Sequence, residues 1–344
     1  MAGWLELVNR DPLPWLLDEA APAVRHLALR QLLDLPADDP DIVAAREAAM
    51  RTDPVAAFLA AQHPEGWWSK PGAGYGPKYT GTVWTLTFLD QFGADGSDPR
   101  VRAGCAYLIE HAQTTSGGFG MSAAAQGRPA PSMVLHCLNG NLLRALIGFG
   151  WLEDERVQRA VDFQAAAITG EGEIRFYKSS MPGPGFRCGA NDGLPCAWGA
   201  AKALLGLARI PRERRTPHVQ RAIDAGVAFL LSHDPAAADY PMGYGNAKPN
   251  SSWWKLGFPS GYVADVLQVL ETLCEAGAAA DPRLDHAVDW LLSQQDADGR
   301  WANRYAYAGK MIVDIDTPGQ PSRWVTLRAC RVLKAVVGAR SRPV

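Results

Sequence analysis

Residues 62–68 read QHPEGWW and residues 295–301 read QDADGRW. Both follow one pattern: Gln, three residues, Gly, one residue, Trp. A further copy, QTTSGGF at 113–119, has Phe in place of Trp. Each copy comes just after a stretch with helical apolar spacing. Glycine supplies a turn with positive φ. The ring is then placed to pack back over the helix end, and the Gln amide to bond backbone groups exposed there. Such a unit would clamp neighbouring helical hairpins together. The stretches after 164 and 234 lack it, so those copies are read as degenerate.

Working outward from the clamp, a longer period appears. Stretches opening on Asp or Thr begin at 39 (DPDIVAAREAAM), 98 (DPRVRAGCAYLIEHA), 154 (DERVQRAVDFQAAA), 216 (TPHVQRAIDAGVAFLLSH) and 281 (DPRLDHAVDWLLSQQ), spaced 59, 56, 62 and 65 residues apart. Asp or Thr at the N-cap with Pro behind it is a helix start. An apolar stripe opposite a polar face then marks an outer helix. Between these lie stretches that are apolar nearly all round, from 80, 136, 194, 261 and 323, with a sixth at 24–35 (VRHLALRQLLDL). Such helices are buried on both sides. Gly93, Gly148 and Gly277 stand where a C-cap is wanted. Strand signals are nearly absent. About six outer–inner pairs in one domain spanning 1–344 predict an all-α closed ring, with residues 1–38 supplying the closing N-terminal helices; an open solenoid is the alternative. The period exceeds that of common helical repeats because long loops rich in Gly, Pro and aromatics, such as PGAGYGPKY and DYPMGYGNAKPNSSWWKLGFPS, precede the inner helices. Long loops inside compact domains are usually functional, so this rim is the expected ligand entrance.

Composition narrows the function. The 344-residue chain carries a net charge of −2 with no basic stripe, which argues against nucleic acid as partner. No nucleotide or flavin signature appears. No apolar run is long enough to span a bilayer, and the acidic start does not read as a signal peptide; contact with a membrane surface stays open. Six irregularly spaced cysteines do not read as a disulfide framework, and a reduced, cytoplasmic protein is expected.

The Gln-x3-Gly-x-Trp repeat resembles the QW-type motif of the squalene-cyclase and protein-prenyltransferase superfamily. More narrowly, HCLNGN at 136–141, Cys188-x7-Cys196, WWKLGFP at 253–259 and GQPSRWVTLRACRVLK at 319–334 are similar to stretches of stand-alone bacterial prenyltransferase/squalene-oxidase-repeat proteins. The resemblance implies an (α/α)6 toroid of helical hairpins, terpenoid cyclase/prenyltransferase-like, around a central aromatic cavity that takes an isoprenoid or similar apolar ligand. It does not settle whether the chain is an enzyme. The superfamily's DxDD acid element is absent. VDIDT at 313–317 is the nearest string, and its reading as a solvated loop pair is favoured. No DDxxD-like cluster is present.

Two sets of residues carry the chemistry. His136, Cys137, Cys188 and Cys196 sit at or before inner-helix starts, where the superfamily's protein prenyltransferases hold zinc, and zinc favours four N or S ligands. A zinc or other soft-metal site is one reading of this set; small buried thiols are the other. Cys196, in a first helical turn, is the expected thiolate. The second set is the cavity wall. Trp84, Trp198, Tyr262 and Trp324 are expected on inner helices and Trp254 just ahead of one, able to face an isoprenoid chain or a carbocation. Lys78, Lys255 and Arg323 could hold an anionic group at the rim. Asn139, Asn141 and Asp265 need partners when buried, and either bridge inner helices or line the site. Two rivals remain: a non-catalytic toroid serving as a binding or scaffold protein, and a carbohydrate-active (α/α)6 enzyme with Asp192 and Asp265 as opposed carboxylates.

Overall fold

The computed structural model describes residues 3–122, 127–172 and 182–341. Thirteen α-helices follow in chain order among them: α1 (Leu13–Leu16), α2 (Pro22–Gln31), α3 (Pro40–Met50), α4 (Val55–Ala60), α5 (Thr82–Gln91), α6 (Pro99–Ala112), α7 (His136–Gly148), α8 (Glu155–Thr169), α9 (Ala197–Ala208), α10 (Pro217–Leu230), α11 (Val266–Glu275), α12 (Asp285–Ser293) and α13 (Arg323–Arg340). The described strands are two residues each, β1 (Pro182–Gly183) and β2 (Arg187–Cys188), paired antiparallel. No described helix is long and apolar enough to cross a membrane.

The expected caps form. Asp39, Asp98 and Asp154 each accept the amide two residues on, at 2.9, 2.8 and 2.8 Å, and Thr216 accepts Val219 N at 3.2 Å. Asp281 accepts Arg283 N at 2.9 Å at a 3-10 turn that runs into α12. These caps open the outer helices α3, α6, α8, α10 and α12. The helices between them bury nearly every residue: all of Thr82–Leu89 in α5 and Ala197 with Gly199–Leu207 in α9.

The inner helices close into a ring. Helix α7 packs between α5 and α9, α11 between α9 and α13, and α13 reaches back to α2 and to the 3-10 turn Gly3–Leu7. The joint between α2 and α5 lies at the end of α5, where Gly93 is so close to Leu27 that a Cβ would stand 2.9 Å from its Cδ2. Gly93 and Gly277 take the expected positive φ, 75° and 97°. Gly148 does not. It ends α7 as a helical residue, and Gly150 takes the left-handed turn at 82°.

The repeated pattern does the joining. Gln62 donates to Gly66 O (3.1 Å) and to Arg100 O in the first turn of the next outer helix (2.8 Å). Gln113 repeats this with Gly117 O (2.8 Å) and Arg156 O (2.6 Å). Trp68 and Trp301 each donate the indole N–H to the carbonyl ten residues back, Phe58 O at 2.7 Å and Leu291 O at 2.8 Å. Their backbone amides reach the next inner helix, at Thr82 and Thr326 hydroxyls. The last copy hands over to the chain start: Gln295 donates to Leu7 O (3.3 Å) and accepts Asn9 N (2.7 Å). Gly66 and Gly299 have φ of 97° and 69°, and each lies against the neighbouring backbone, leaving no room for a side chain. The clamp that begins each pairing therefore also shuts the circle.

One expectation fails. The ring does not enclose a single hollow. The segment 256–264 (LGFPSGYVA) crosses its middle, and α11 accordingly starts at Val266 instead of near 261. Four inner helices hold this crossing by its backbone carbonyls: Gln91 to Ser260 O (2.9 Å), Asn141 to Gly261 O (3.0 Å), Lys202 to Val263 O (3.0 Å) and Arg328 to Gly257 O (2.5 Å). Asn303 adds a donor to Phe258 O at 2.8 Å. The crossing segment carries peptide groups away from the helical ladder, and a buried peptide needs partners; these polar side chains on otherwise apolar helices supply them. The result is two chambers, one on each side.

Candidate functional site

The chamber on the side of the inner-helix N-termini has a volume of about 430 Å³. Its wall comes from the loops ahead of α5, α7, α9 and α11, as the rim reading expected. Tyr75 and Lys78 come from the first of these, Cys188 and Asn191 from the third, Tyr240, Met242 and Trp253 from the fourth, and Tyr262 from the crossing segment. Cys137, Cys196 and Trp198 enter from the first turns of α7 and α9. No Asp or Glu lines it among the described residues.

Two of these loops are tied together by Asn191. Its amide donates to Pro195 O (2.9 Å) and Pro241 O (3.1 Å) while its carbonyl oxygen accepts Gly243 N (3.1 Å). Trp253 is anchored by its indole N–H on Pro235 O at 2.9 Å. Tyr262 sits with an edge to Trp198 at 6.2 Å, and the Lys78 ammonium lies 4.8 Å over its ring. Among the described residues of this wall Lys78 holds the one ammonium, already over an aromatic face.

The three thiols of the wall differ. Cys196 caps α9, its sulfur accepting Gly199 N at 3.4 Å. It also donates to Cys188, which stabilises the Cys188 thiolate and pulls that thiol down to about 7 against the cost of burial. The backbone amides of Ala190 and Asn191 favour the same thiolate. The donor, Cys196, is pushed well up by that bond and by burial. Burial pushes Cys137 up to about 11. The bond and the two amides thus favour the thiolate on Cys188 over the expected Cys196. A helix N-terminus helps a thiolate only if the sulfur has no better donor role, and Cys196 has one.

His136 does not join the thiols. Its Nε2 donates to Gly183 O (3.1 Å) and its Nδ1 accepts Gln164 Nε2 (2.9 Å). Both ring nitrogens are occupied, and burial depresses the ring's pKa to about 4. Among the described residues no group of three or more His, Cys, Asp or Glu is placed to hold a metal ion. The donor set expected for zinc thus does not come together around one point.

The other expected residues divide. Trp198 and Tyr262 face the chamber, though Tyr262 does so from the crossing segment and not from a helix. Trp84 is buried behind the wall, its indole donating to Tyr75 O at 2.7 Å. Trp254, donating to Ala236 O at 2.6 Å, and the exposed Lys255 lie outside the lining. Arg323 pairs with Asp18 at 2.6 Å, tying the two ends of the chain. Trp324 faces the other chamber. Asn139 is a bracket, accepting Phe119 N at 3.0 Å and donating to Gln164 Oε1 at 2.9 Å; Asn141 holds the crossing segment.

Asp192 is exposed, on a left-handed turn. Asp265 is an N-cap, accepting Gln268 N at 2.7 Å and Gly257 N at 2.8 Å. The two do not oppose each other across this chamber. In the VDIDT string, Asp316 accepts Asn303 and Ser322 at 3.0 and 2.6 Å, and Asp314 accepts Gly309 N at 2.7 Å, so the pair braces a loop. Tyr75, Met121, Tyr240 and Met242 were not singled out from sequence; the aromatic and Met content of the rim loops was the available signal.

No family model matches the chain, and no curated protein matches it. Among solved structures it is similar to the type II terpene cyclase MstE from Scytonema (14% identity over 86% of this chain and 98% of that one, TM-score 0.31). It is similar to a protein from Actinoplanes (15%, 86% and 100%, TM-score 0.32). It is also similar to a Family 10 polysaccharide lyase from Cellvibrio cellulosa (15%, 67% and 82%, TM-score 0.34). Likenesses this distant do not carry an activity to this chain.

Proposed function

We propose that the cysteine-containing chamber binds an isoprenoid or similarly apolar small molecule. One observation carries the reading. A cavity of about 430 Å³ is walled by Tyr, Trp, Met and Leu side chains with no carboxylate among the described lining. Ligand pockets of several hundred Å³ with apolar walls and few polar groups bury a small molecule well. Apolar contact then supplies affinity at about 25 cal/mol per Å², and the faces of Trp198 and Tyr262 suit unsaturated carbon. Lys78 and the Cys188–Cys196 pair mark the polar end, where a head group would lie.

Among the described residues no carboxylate is placed to start a protonation-initiated cyclisation, because Asp265 serves as a cap and Asp314 and Asp316 as loop braces. That observation favours binding without an acid-driven step. Any chemistry in the chamber falls to the Cys188 thiolate with Cys196 as its donor, and no step is assigned to a metal. The sugar reading loses its carboxylate pair.

The test is quenching of intrinsic tryptophan fluorescence by farnesol and geranylgeraniol, with Trp198→Ala beside the parent protein. Saturable binding that weakens about tenfold or more in the variant, the loss of one buried aromatic contact surface, supports the reading. Equal binding in both proteins, or none, refutes it. Tighter binding of an oligosaccharide of uronic acids than of either alcohol would restore the sugar reading.

A further inference from the structure

The chamber on the far side of the crossing segment is chemically unlike the first. It has a volume of about 590 Å³ and draws its wall from all six inner helices. Its floor is apolar: Phe258 and Trp324 stack with centroids 4.6 Å apart and planes 7° from parallel. Among the described residues its wall carries six arginines against four carboxylates.

The pairs do not consume the arginines. Arg328 donates twice to Glu271, at 3.0 and 2.6 Å, and Arg331 donates to Glu275 at 2.7 Å. Those are tight. By contrast, the buried Asp90 stands 3.3 Å from Arg144 Nε and 3.6 Å from Arg209, and Asp95 stands 3.5 Å from Arg46 Nε. None of these is aligned as a hydrogen bond: the buried Nε–H groups of both Arg144 and Arg46 have no hydrogen-bond partner among the described residues. Arg30 forms no ion pair among the described residues, and burial, with Arg30 and Arg46 nearby, holds His26 neutral. His26 itself is 4% exposed, lines the chamber, and has no partner for Nδ1. Buried donors left without a hydrogen bond are costly.

Helix C-termini also point here and bring partial negative charge. Arginines placed only to serve those ends would give their N–H groups to the last carbonyls. The Nε–H groups of Arg46 and Arg144 make no such bond and lie only at ion-pair distance from Asp95 and Asp90. Gly148 completes the cradle: a Cβ there would collide with the Asp90 carboxylate and stand 3.1 Å from Arg209 Nη2. A glycine at the end of a helix costs stability relative to alanine, so its small size is needed by this approach.

We propose that this second chamber is an oxyanion site for a small phosphate- or diphosphate-bearing molecule, with its apolar part on the Phe258–Trp324 pair. Planar guanidinium forks match phosphate oxygens in bidentate fashion. The site is separate from the apolar chamber and does not rest on its reading.

Calorimetry on the intact protein at low salt tests it, with inorganic diphosphate, inorganic phosphate and citrate as probes. Diphosphate is expected to bind one to one, more tightly than phosphate or citrate, and more weakly as salt rises. The double variant Arg30→Gln/Arg46→Gln should weaken diphosphate about tenfold or more, the loss of at least one charge-assisted bond. Arg30→Gln alone removes an exposed side chain, keeps the fold, and should weaken it in the same direction. Trp198→Ala, in the other chamber, should leave it unchanged. No binding at millimolar diphosphate, indifference to both arginine variants, or citrate binding more tightly than diphosphate would overturn the proposal.

Discussion

Lys202 is fully buried in α9, and its amine holds the crossing segment in place. Burial lowers its pKa from an ordinary 10.5 to about 7. A neutral amine has two N–H groups, and the structure offers two acceptors, Val263 O at 3.0 Å and Gln268 Oε1 at 2.6 Å. The displacement corresponds to on the order of 5 kcal/mol, at about 1.4 kcal/mol per pH unit. Its sign follows from proton counting. Between about pH 7 and about pH 10 the unfolded chain holds the proton on this lysine and the folded chain does not, so stability rises with pH in that window. Below about 7 both states are protonated and the burial cost is fully present. Lys202→Met has no proton to release, and it strands two acceptors at a cost of about 1–3 kcal/mol each. At pH 6 the stranded acceptors and the relieved charge roughly cancel, and the two proteins should be of similar stability. The assay is urea unfolding, followed by far-UV circular dichroism, of both proteins from about pH 6 to about pH 9.5. The parent should gain on the variant by about 1 kcal/mol or more per pH unit above neutrality. Two parallel profiles would refute the neutral, doubly donating amine.

Three other outcomes follow from the same geometry. Gly299→Ala forces a side chain into φ 69° and into the Arg10 backbone, so it should cost about 1–3 kcal/mol and speed amide exchange across residues 3–17; unchanged exchange there would mean that the last clamp does not shut the ring. Iodoacetamide should modify Cys188 first, with half-maximal rate near pH 7, and Cys196→Ser should alter that midpoint by replacing the thiol donor; preferential labelling of Cys196 would reverse the assignment. Asn139→Ala strands Phe119 N and the Gln164 amide, lowering the melting temperature, with a loss of about 2–4 kcal/mol, while leaving isoprenoid affinity as it was; a selective loss of affinity would make Asn139 a ligand contact.

What could be read from the sequence was what is local or periodic. The outer-helix caps at Asp39, Asp98, Asp154, Thr216 and Asp281 and the clamps at Gln62, Gln113 and Gln295 are short-range patterns. Each formed its bonds as spacing required. The rim loops were legible as the wall of a chamber because length and composition mark them. The crossing segment was not. Tyr262 to Ala264 continue the apolar run of α11, and nothing local distinguishes a buried loop from a first helical turn. Its only trace was a polar residue on each of several inner helices, Gln91, Asn141, Lys202 and Arg328, whose purpose appears when their carbonyl partners are known. His136 and the thiols looked like one donor set because both sit at inner-helix starts. Separation came from Gln164, on an outer helix, which claims the imidazole. Asp265 likewise reads as a site carboxylate until the amides of Gly257 and Gln268 are found on it.

The account turns on an apolar ligand lying in the chamber bounded by Trp198, Tyr262 and Met242, sealed by the crossing segment from the arginine chamber. A farnesyl chain carrying a benzophenone, irradiated with the protein and mapped by peptide mass spectrometry, tests this directly. Attachment should fall on the peptides bearing Met121, Trp198, Met242 or Tyr262. Attachment confined to Leu27, Phe149 or Trp324 on the other side, or to the outer helices, would contradict it.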